Sequence, residues 1–134
     1  MKRIILLAFL CTTTLVMAQR INHVQEAIAN YDYEAALTLI AKEKPTIPLL
    51  LQKGKAQRGL GMNTEALSTY QEIITNDTAN TRAYIEAAEC CRSLAKYQQA
   101  LKYYEQALDL NPENKYVRIQ YIGLLLSLQK FQDA

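Results

Sequence analysis

The chain has 134 residues, 50% of them hydrophobic and 21% charged, with 15 Lys+Arg against 13 Asp+Glu. Four Gly are too few for a sandwich or barrel built on tight turns, half-apolar composition is too rich for a disordered chain, and three Cys cannot make a dense disulfide framework. One domain fits the length.

Residues 1–18 read as a targeting segment. Lys2 and Arg3 make a basic start, and Ile4 to Val16 is apolar apart from Cys11 and Thr12-Thr13-Thr14. Val16-Met17-Ala18 then places compact residues before Gln19, which is a secretory signal pattern. A membrane span needs ~20 apolar residues, so the stretch is short for an anchor. Lipidation at Cys11 is disfavoured by Leu10, which stands where such signals want a small residue. Loss of Lys2 and Arg3 lowers the basic count to 13, equal to the 13 acidic residues. That balance gives no support for phosphate neutralisation, so no nucleic-acid partner is expected. The expected location is the periplasm or cell envelope, in a Gram-negative bacterium.

The mature segment, 19–134, predicts helices near 20–30, 33–43, 48–59, 64–76, 80–94, 98–110 and 114–128, with an eighth starting at 131. The stripes Ala66-Leu67-Tyr70-Ile73-Ile74, Tyr84-Ala87-Ala88-Cys91-Leu94, Ala100-Leu101-Tyr104-Ala107-Leu108 and Val117-Tyr121-Leu124-Leu125-Leu128 recur at three- and four-residue steps, one face of a helix each. Pro45 and Pro48 separate the first units, Gly59 and Gly61 end one helix with Asn63 capping the next, and Asn76-Asp77 and Asn111-Pro112 mark later joints.

The stripes repeat. Ser93-Leu94-Ala95-Lys96-Tyr97-Gln98-Gln99-Ala100 matches Ser127-Leu128-Gln129-Lys130-Phe131-Gln132-Asp133-Ala134 at an offset of 34. The same offset links Ala66-Leu67 to Ala100-Leu101, Tyr70 to Tyr104 and Asn80 to Asn114. A fainter copy, Tyr33-Glu34-Ala35-Ala36-Leu37, lies 30 residues before the second. Helix pairs of this period resemble the tetratricopeptide repeat family, most closely in the unit with Tyr84, Ala87-Ala88, Ala100, Tyr104, Ala107 and Pro112. The resemblance implies an all-α, right-handed α-solenoid of stacked antiparallel helix pairs, about three and a half repeats, with units near 19–46, 47–80, 81–114 and an incomplete 115–134. The first unit is about four residues short, and the fourth has Ile122 where a small residue is expected. Leu124, Leu125, Leu128 and Phe131 would face a further helix, so either a longer solenoid or a partner is expected to cover them.

Catalytic patterns are missing: no nucleophile elbow, no His-Glu-x-x-His and no glycine-rich phosphate loop. No catalytic, cofactor or metal site is expected, and His23 reads as an ordinary surface or core residue. Cys91 reads as a core residue and Cys90 as partly exposed, with a redox role as the alternative. Glu86 and Glu89 beside Arg82 and Arg92 read as an ion-pair ladder. The tyrosines, Tyr70, Tyr84, Tyr97, Tyr103 and Tyr104 among them, read mostly as packing residues. Asn76-Asp77-Thr78 fits an N-glycosylation signal and Asp77-Thr78-Ala79 resembles a bacterial O-glycosylation signal, with turn chemistry as the plain alternative.

The resemblance further implies that a concave groove, lined by the first helix of each pair, binds peptides. Its residues here would be Leu51, Lys55 and Arg58, then Arg82, Ile85, Glu89 and Arg92, then Tyr116, Ile119 and Leu126. Lys55, Arg58 and Arg92 would meet acidic groups, and Ile85 and Ile119 apolar ones. These positions do not reproduce the Lys/Asn set with which some members clamp a C-terminal carboxylate. The expected function is an exported scaffold that binds protein or peptide without covalent chemistry. Its rivals are a structural subunit or spacer of an envelope assembly and the non-catalytic part of a longer enzyme.

Overall fold

A computed structural model describes residues 1–132, and all regular structure within them is helical. Seven helices follow in order: α1 Lys2–Ala29, α2 Tyr33–Ile40, α3 Ile47–Gly59, α4 Asn63–Asn76, α5 Thr81–Ser93, α6 Tyr97–Leu110 and α7 Lys115–Gln132. They fall into two compact units, residues 1–60 with α1 to α3 and residues 61–134 with α4 to α7.

In the first unit the last turns of α1 pack with α2 and α3 around Val24, Ile28, Ala36, Ile40, Leu49 and Ala56. Burying a side chain the size of Val24 or Ile28 contributes roughly 1.5–3 kcal/mol. Packing begins at Ile21, whereas the side chains from Thr12 to Arg20 are exposed. The expected helix at 20–30 is therefore the end of a longer one, because nothing from Lys2 to Ala29 is Gly or Pro. Arg20 reaches Glu43 in the connector after α2 at 2.9 Å. Among the described residues no helix is long and apolar enough to cross a membrane.

In the second unit α4 packs on α5, α5 on α6 and α6 on α7. Ala66, Tyr70, Ile73, Ala83, Ala87, Ala88, Ala100, Tyr104, Ala107 and Val117 are buried within it. The small residues let neighbouring helices approach closely, and Tyr70 and Tyr104 fill the remaining volume. Tyr84 of α5 and Tyr103 of α6 meet with ring centroids 6.4 Å apart. Tyr97 is 40% exposed, so it departs from the packing role expected of the tyrosines.

Two periodic devices punctuate the chain. Tyr31, Gly61 and Ala95 hold left-handed backbone (φ 60°, 75° and 56°) between the helices of successive pairs, at steps of 30 and 34 residues. Left-handed geometry costs a side-chain-bearing residue roughly 1–2 kcal/mol, so Tyr31 and Ala95 are held there by the packing on either side. Before the first helix of a pair, Asn80 and Asn114 occupy equivalent places, each accepting a backbone N–H through its side-chain oxygen at 3.1 Å, from Ala83 and Val117. Thr46, in the same register, makes no such bond, and Pro48 starts α3 instead. Asn63 does not cap α4. Left-handed Gly61 brings Met62 to the capping position, and the Asn63 amide turns back to the Gly61 carbonyl at 3.4 Å.

The fourth unit departs from expectation. Helix α7 runs unbroken through Gln129, where the third unit turns at Ala95, and no eighth helix begins at 131. A left-handed turn is retained only where packing of the next helix offsets its cost, as α6 does for Ala95. Asp133 and Ala134, the end of the matching motif, lie outside the described residues.

Candidate functional site

Helix α5 presents Arg82, Ile85, Glu89 and Arg92 along one face, at steps of three and four. Helix α7 presents Tyr116, Ile119 and Leu126 likewise. The two rows are in register by 34 residues, so Ile85 corresponds to Ile119, Arg82 to Tyr116 and Arg92 to Leu126. Side-chain bonds tie them together. The Glu89 Oε1 accepts the Tyr104 hydroxyl of α6 at 2.6 Å and the Tyr116 hydroxyl of α7 at 3.1 Å. Arg92 Nη1 lies 3.5 Å from Glu89 Oε2 and donates to Gln120 Oε1 at 2.6 Å and to the Tyr104 hydroxyl at 3.5 Å.

This network fixes the chemistry of the surface. Burial, then the bond to Glu89, holds the Tyr104 hydroxyl well above the ordinary tyrosine range. The bond to Tyr104 first, and the nearby Glu89 charge after it, push the Arg92 guanidinium up despite partial desolvation. The cluster is a polar strut that joins α5, α6 and α7 by side-chain hydrogen bonds. The expected ladder is realised between Glu89 and Arg92, and the Arg92 charge is already balanced by its own helix.

Around the strut the surface is open and apolar. Ile119 is 67% exposed, Leu126 54% and Tyr116 51%, whereas Ile85 is half-buried and Arg82 exposed. In the first unit Leu51, Lys55 and Arg58 share one face of α3, with Lys55 exposed and the other two half-buried. Gln120 and the Tyr104 hydroxyl were not among the residues expected here. Gln120 falls in the register of Glu86, which the 34-residue step could have flagged.

The remaining sequence candidates have the following surroundings. Cys90 and Cys91 are both fully buried, because α5 is covered by α4 on one side and α6 on the other. The partial exposure expected of Cys90 is thus corrected. Burial pushes the Cys91 thiol up, with Lys96 opposing weakly. His23 is exposed and faces Glu26 at 3.9 Å. Asp77 accepts from the Ala79 N–H at 3.2 Å and the Asn80 amide at 3.0 Å, and the Asn76 amide donates to the Glu72 carbonyl at 2.9 Å, which is turn and helix-end bonding. Among the described residues no group of three or more His, Cys, Asp or Glu could hold a metal ion.

The tetratricopeptide repeat family model matches residues 81–114. The tetratricopeptide repeat family is thereby supported. Human Tetratricopeptide repeat protein 6 is 30% identical over 89 residues, which is 66% of this chain, and the chain spans 16% of that protein's length. Among solved structures, the first TPR of Spaghetti (RPAP3) bound to HSP90 peptide SRMEEVD has a TM-score of 0.78 at 20% identity, covering 84% of this chain and 92% of that one. The Yersinia enterocolitica type III secretion chaperone SycD, in complex with a peptide of the translocator YopD, has a TM-score of 0.76 at 18% identity, covering 87% and 95%. At these identities the likeness shows the fold: a helical repeat solenoid.

Proposed function

We propose that this chain is an interaction module that holds a peptide of another protein on the faces of its first-of-pair helices, and that it is exported to the cell envelope of a Gram-negative bacterium. The observation that carries the binding reading is the braced surface of α5 and α7. A strut of Glu89, Arg92, Tyr104, Tyr116 and Gln120 holds exposed Ile119, Leu126 and Tyr116 ready for a ligand. A preformed surface loses little ordering entropy on binding. Two proteins of like fold are solved with peptides bound. Because Arg92 is already paired, an acidic group on the ligand would meet Arg82 or Lys55 in its place. The export reading rests on the Lys2-Arg3 start, the apolar run to Val16 and the compact Val16-Met17-Ala18.

The test is affinity capture with the full chain and with an Ile85→Asp, Ile119→Asp double variant, quantified by mass spectrometry. A protein retained by the first and lost from the second supports the reading, and identical retention by both sinks it. Mass measurement of the chain recovered from envelope fractions checks the export proposal: a product beginning at Gln19 is expected, and an intact Met1 in the cytosol would refute it.

A further inference from the structure

The first unit carries an inference at its amino end, and it rests on the export reading. Packing in this unit starts abruptly. Ala18 and Gln19 are exposed, Arg20 donates to Glu43 at 2.9 Å, and Ile21 and Val24 join the core. A cut between Ala18 and Gln19 removes no side chain of that core. It leaves Gln19 as a solvent-facing first residue, one position ahead of the Arg20–Glu43 bond.

A glutamine at the first position of a chain has a reaction that an internal glutamine lacks. Its α-amino nitrogen and side-chain carboxamide are spaced to close a five-membered lactam. The nitrogen attacks Cδ, the bond from Cδ to Nε2 breaks, and the proton given up by the amine leaves with Nε2 as ammonia. The step consumes no oxidant, reductant or co-reactant. The neutral amine is the nucleophile, and an ordinary α-amino pKa of ~7.7–8.0 leaves part of it neutral near pH 7.

Two features of the structure favour the closed form. Helix α1 runs unbroken through Gln19 and Arg20, so a new ammonium at Gln19 would stand at the positive end of a helix dipole, beside the Arg20 guanidinium. Lactam formation removes that charge. The Glu43 side chain is also only 11% exposed, against 55% for Arg20. Trimming from the amino end would take Gln19 and then Arg20, stranding a largely buried carboxylate without its partner. A lactam offers no free amine to an aminopeptidase. We propose that Gln19 is a modification site: signal cleavage makes it the first residue, and cyclisation to pyroglutamate neutralises the start of α1 and shields the Arg20–Glu43 bond.

The full chain, residues 1–18 included, is expressed in a Gram-negative host and recovered from envelope fractions. Intact mass, tandem mass spectrometry of the amino-terminal peptide and Edman degradation read its first residue. A product spanning 19–134 is expected, lighter than the unmodified segment by about 17 Da, the mass of one ammonia, and closed to Edman degradation. Gln19→Asn keeps the carboxamide, but its ring would have four members and does not close. That variant should be recovered at its full mass and open to Edman degradation. Aminopeptidase should remove the first residues of the Asn variant and none from the parent, and an equal outcome for the two overturns the protective role. A parent product of 19–134 at its full mass, or the same loss of ammonia from the Asn variant, overturns the modification and leaves export standing. A first residue other than Gln19 in the envelope product also overturns it, and an intact Met1 in the cytosol overturns both proposals.

Discussion

Helices α5 and α7 hold equivalent places in successive repeats, and they have opposite fates. Each begins after an Asn that caps it, and each sends a row of side chains to the same braced surface. Their other faces diverge. On α5 the row Tyr84, Ala88, Cys91 is buried, whereas on α7 the row Arg118, Ile122, Leu125 lies open. The difference teaches that a repeat's register fixes which positions of a helix line up, while burial follows from the helix packed over them, as α6 packs on α5. Small side chains at 88 and 91 let α6 approach α5 closely, and Ile122 and Leu125 are bulkier at the matching places.

The largest contrast should appear in thiol chemistry. Cys91 is sealed under its neighbours, so its labelling by a disulfide reagent should proceed only through opening of the second unit. A cysteine placed at the matching site, Leu125→Cys in a chain with Cys90→Ala and Cys91→Ala, should label orders of magnitude faster. Comparable rates would show that α7 is covered or α5 is not.

Exchange of side chains between the rows comes next. Ala88→Ile, which gives α5 the residue of α7, should cost ~1–3 kcal/mol through overpacking. Ile122→Ala, the reverse change, should stay within about 0.5 kcal/mol because the site is exposed. Urea unfolding measures both.

The caps should show where the two helices remain alike. Asn80→Ala and Asn114→Ala should each cost about 1 kcal/mol, whereas Thr46→Ala, with no side-chain bond to lose, should cost far less.

The smallest effect should be alkaline. A folded-state tyrosine held above its ordinary value contributes stability that is full below about pH 10 and fades as pH rises beyond it. Tyr104, buried and bonded to Glu89, should contribute to that fall. Tyr121 on α7 is also pushed up, through its bond to Glu105, but it is largely solvated. Tyr104→Phe should therefore flatten the loss of stability above pH 10 more than Tyr121→Phe. The reverse ranking would assign the fall to the surface.

Much of this was legible in the sequence because the repeat amplifies weak local signals. Ala66 and Ala100 share an offset with Tyr70 and Tyr104, and periodic apolar stripes placed α2 to α6 within a few residues of their ends. The extent of α1 and α7 was not legible. Both depend on whether a neighbour turns the chain, and a local motif such as Ser127-Leu128-Gln129-Lys130 carries no record of that. The groove row came from the resemblance to the repeat family, carried over position by position. The pairing of Glu89 with Tyr116, and of Arg92 with Gln120, needed the distance between two helices 27 and 28 residues apart in sequence.

The left-handed residues also say where this architecture tolerates a change in length. From Gly61 back to Tyr31 the step is 30 residues, and forward to Ala95 it is 34. The capping positions Thr46, Asn80 and Asn114 keep a constant step of 34, so the shortfall lies wholly between Tyr31 and Thr46, in an abbreviated α2 of 8 residues followed by a looser joint. The variable length of the series therefore resides in the connector after α2, whereas the caps keep their step. A foreign loop spliced in at 41–46 should leave the second unit, residues 61–134, folded, and the same splice at Ala95, between the packed helices α5 and α6, should not.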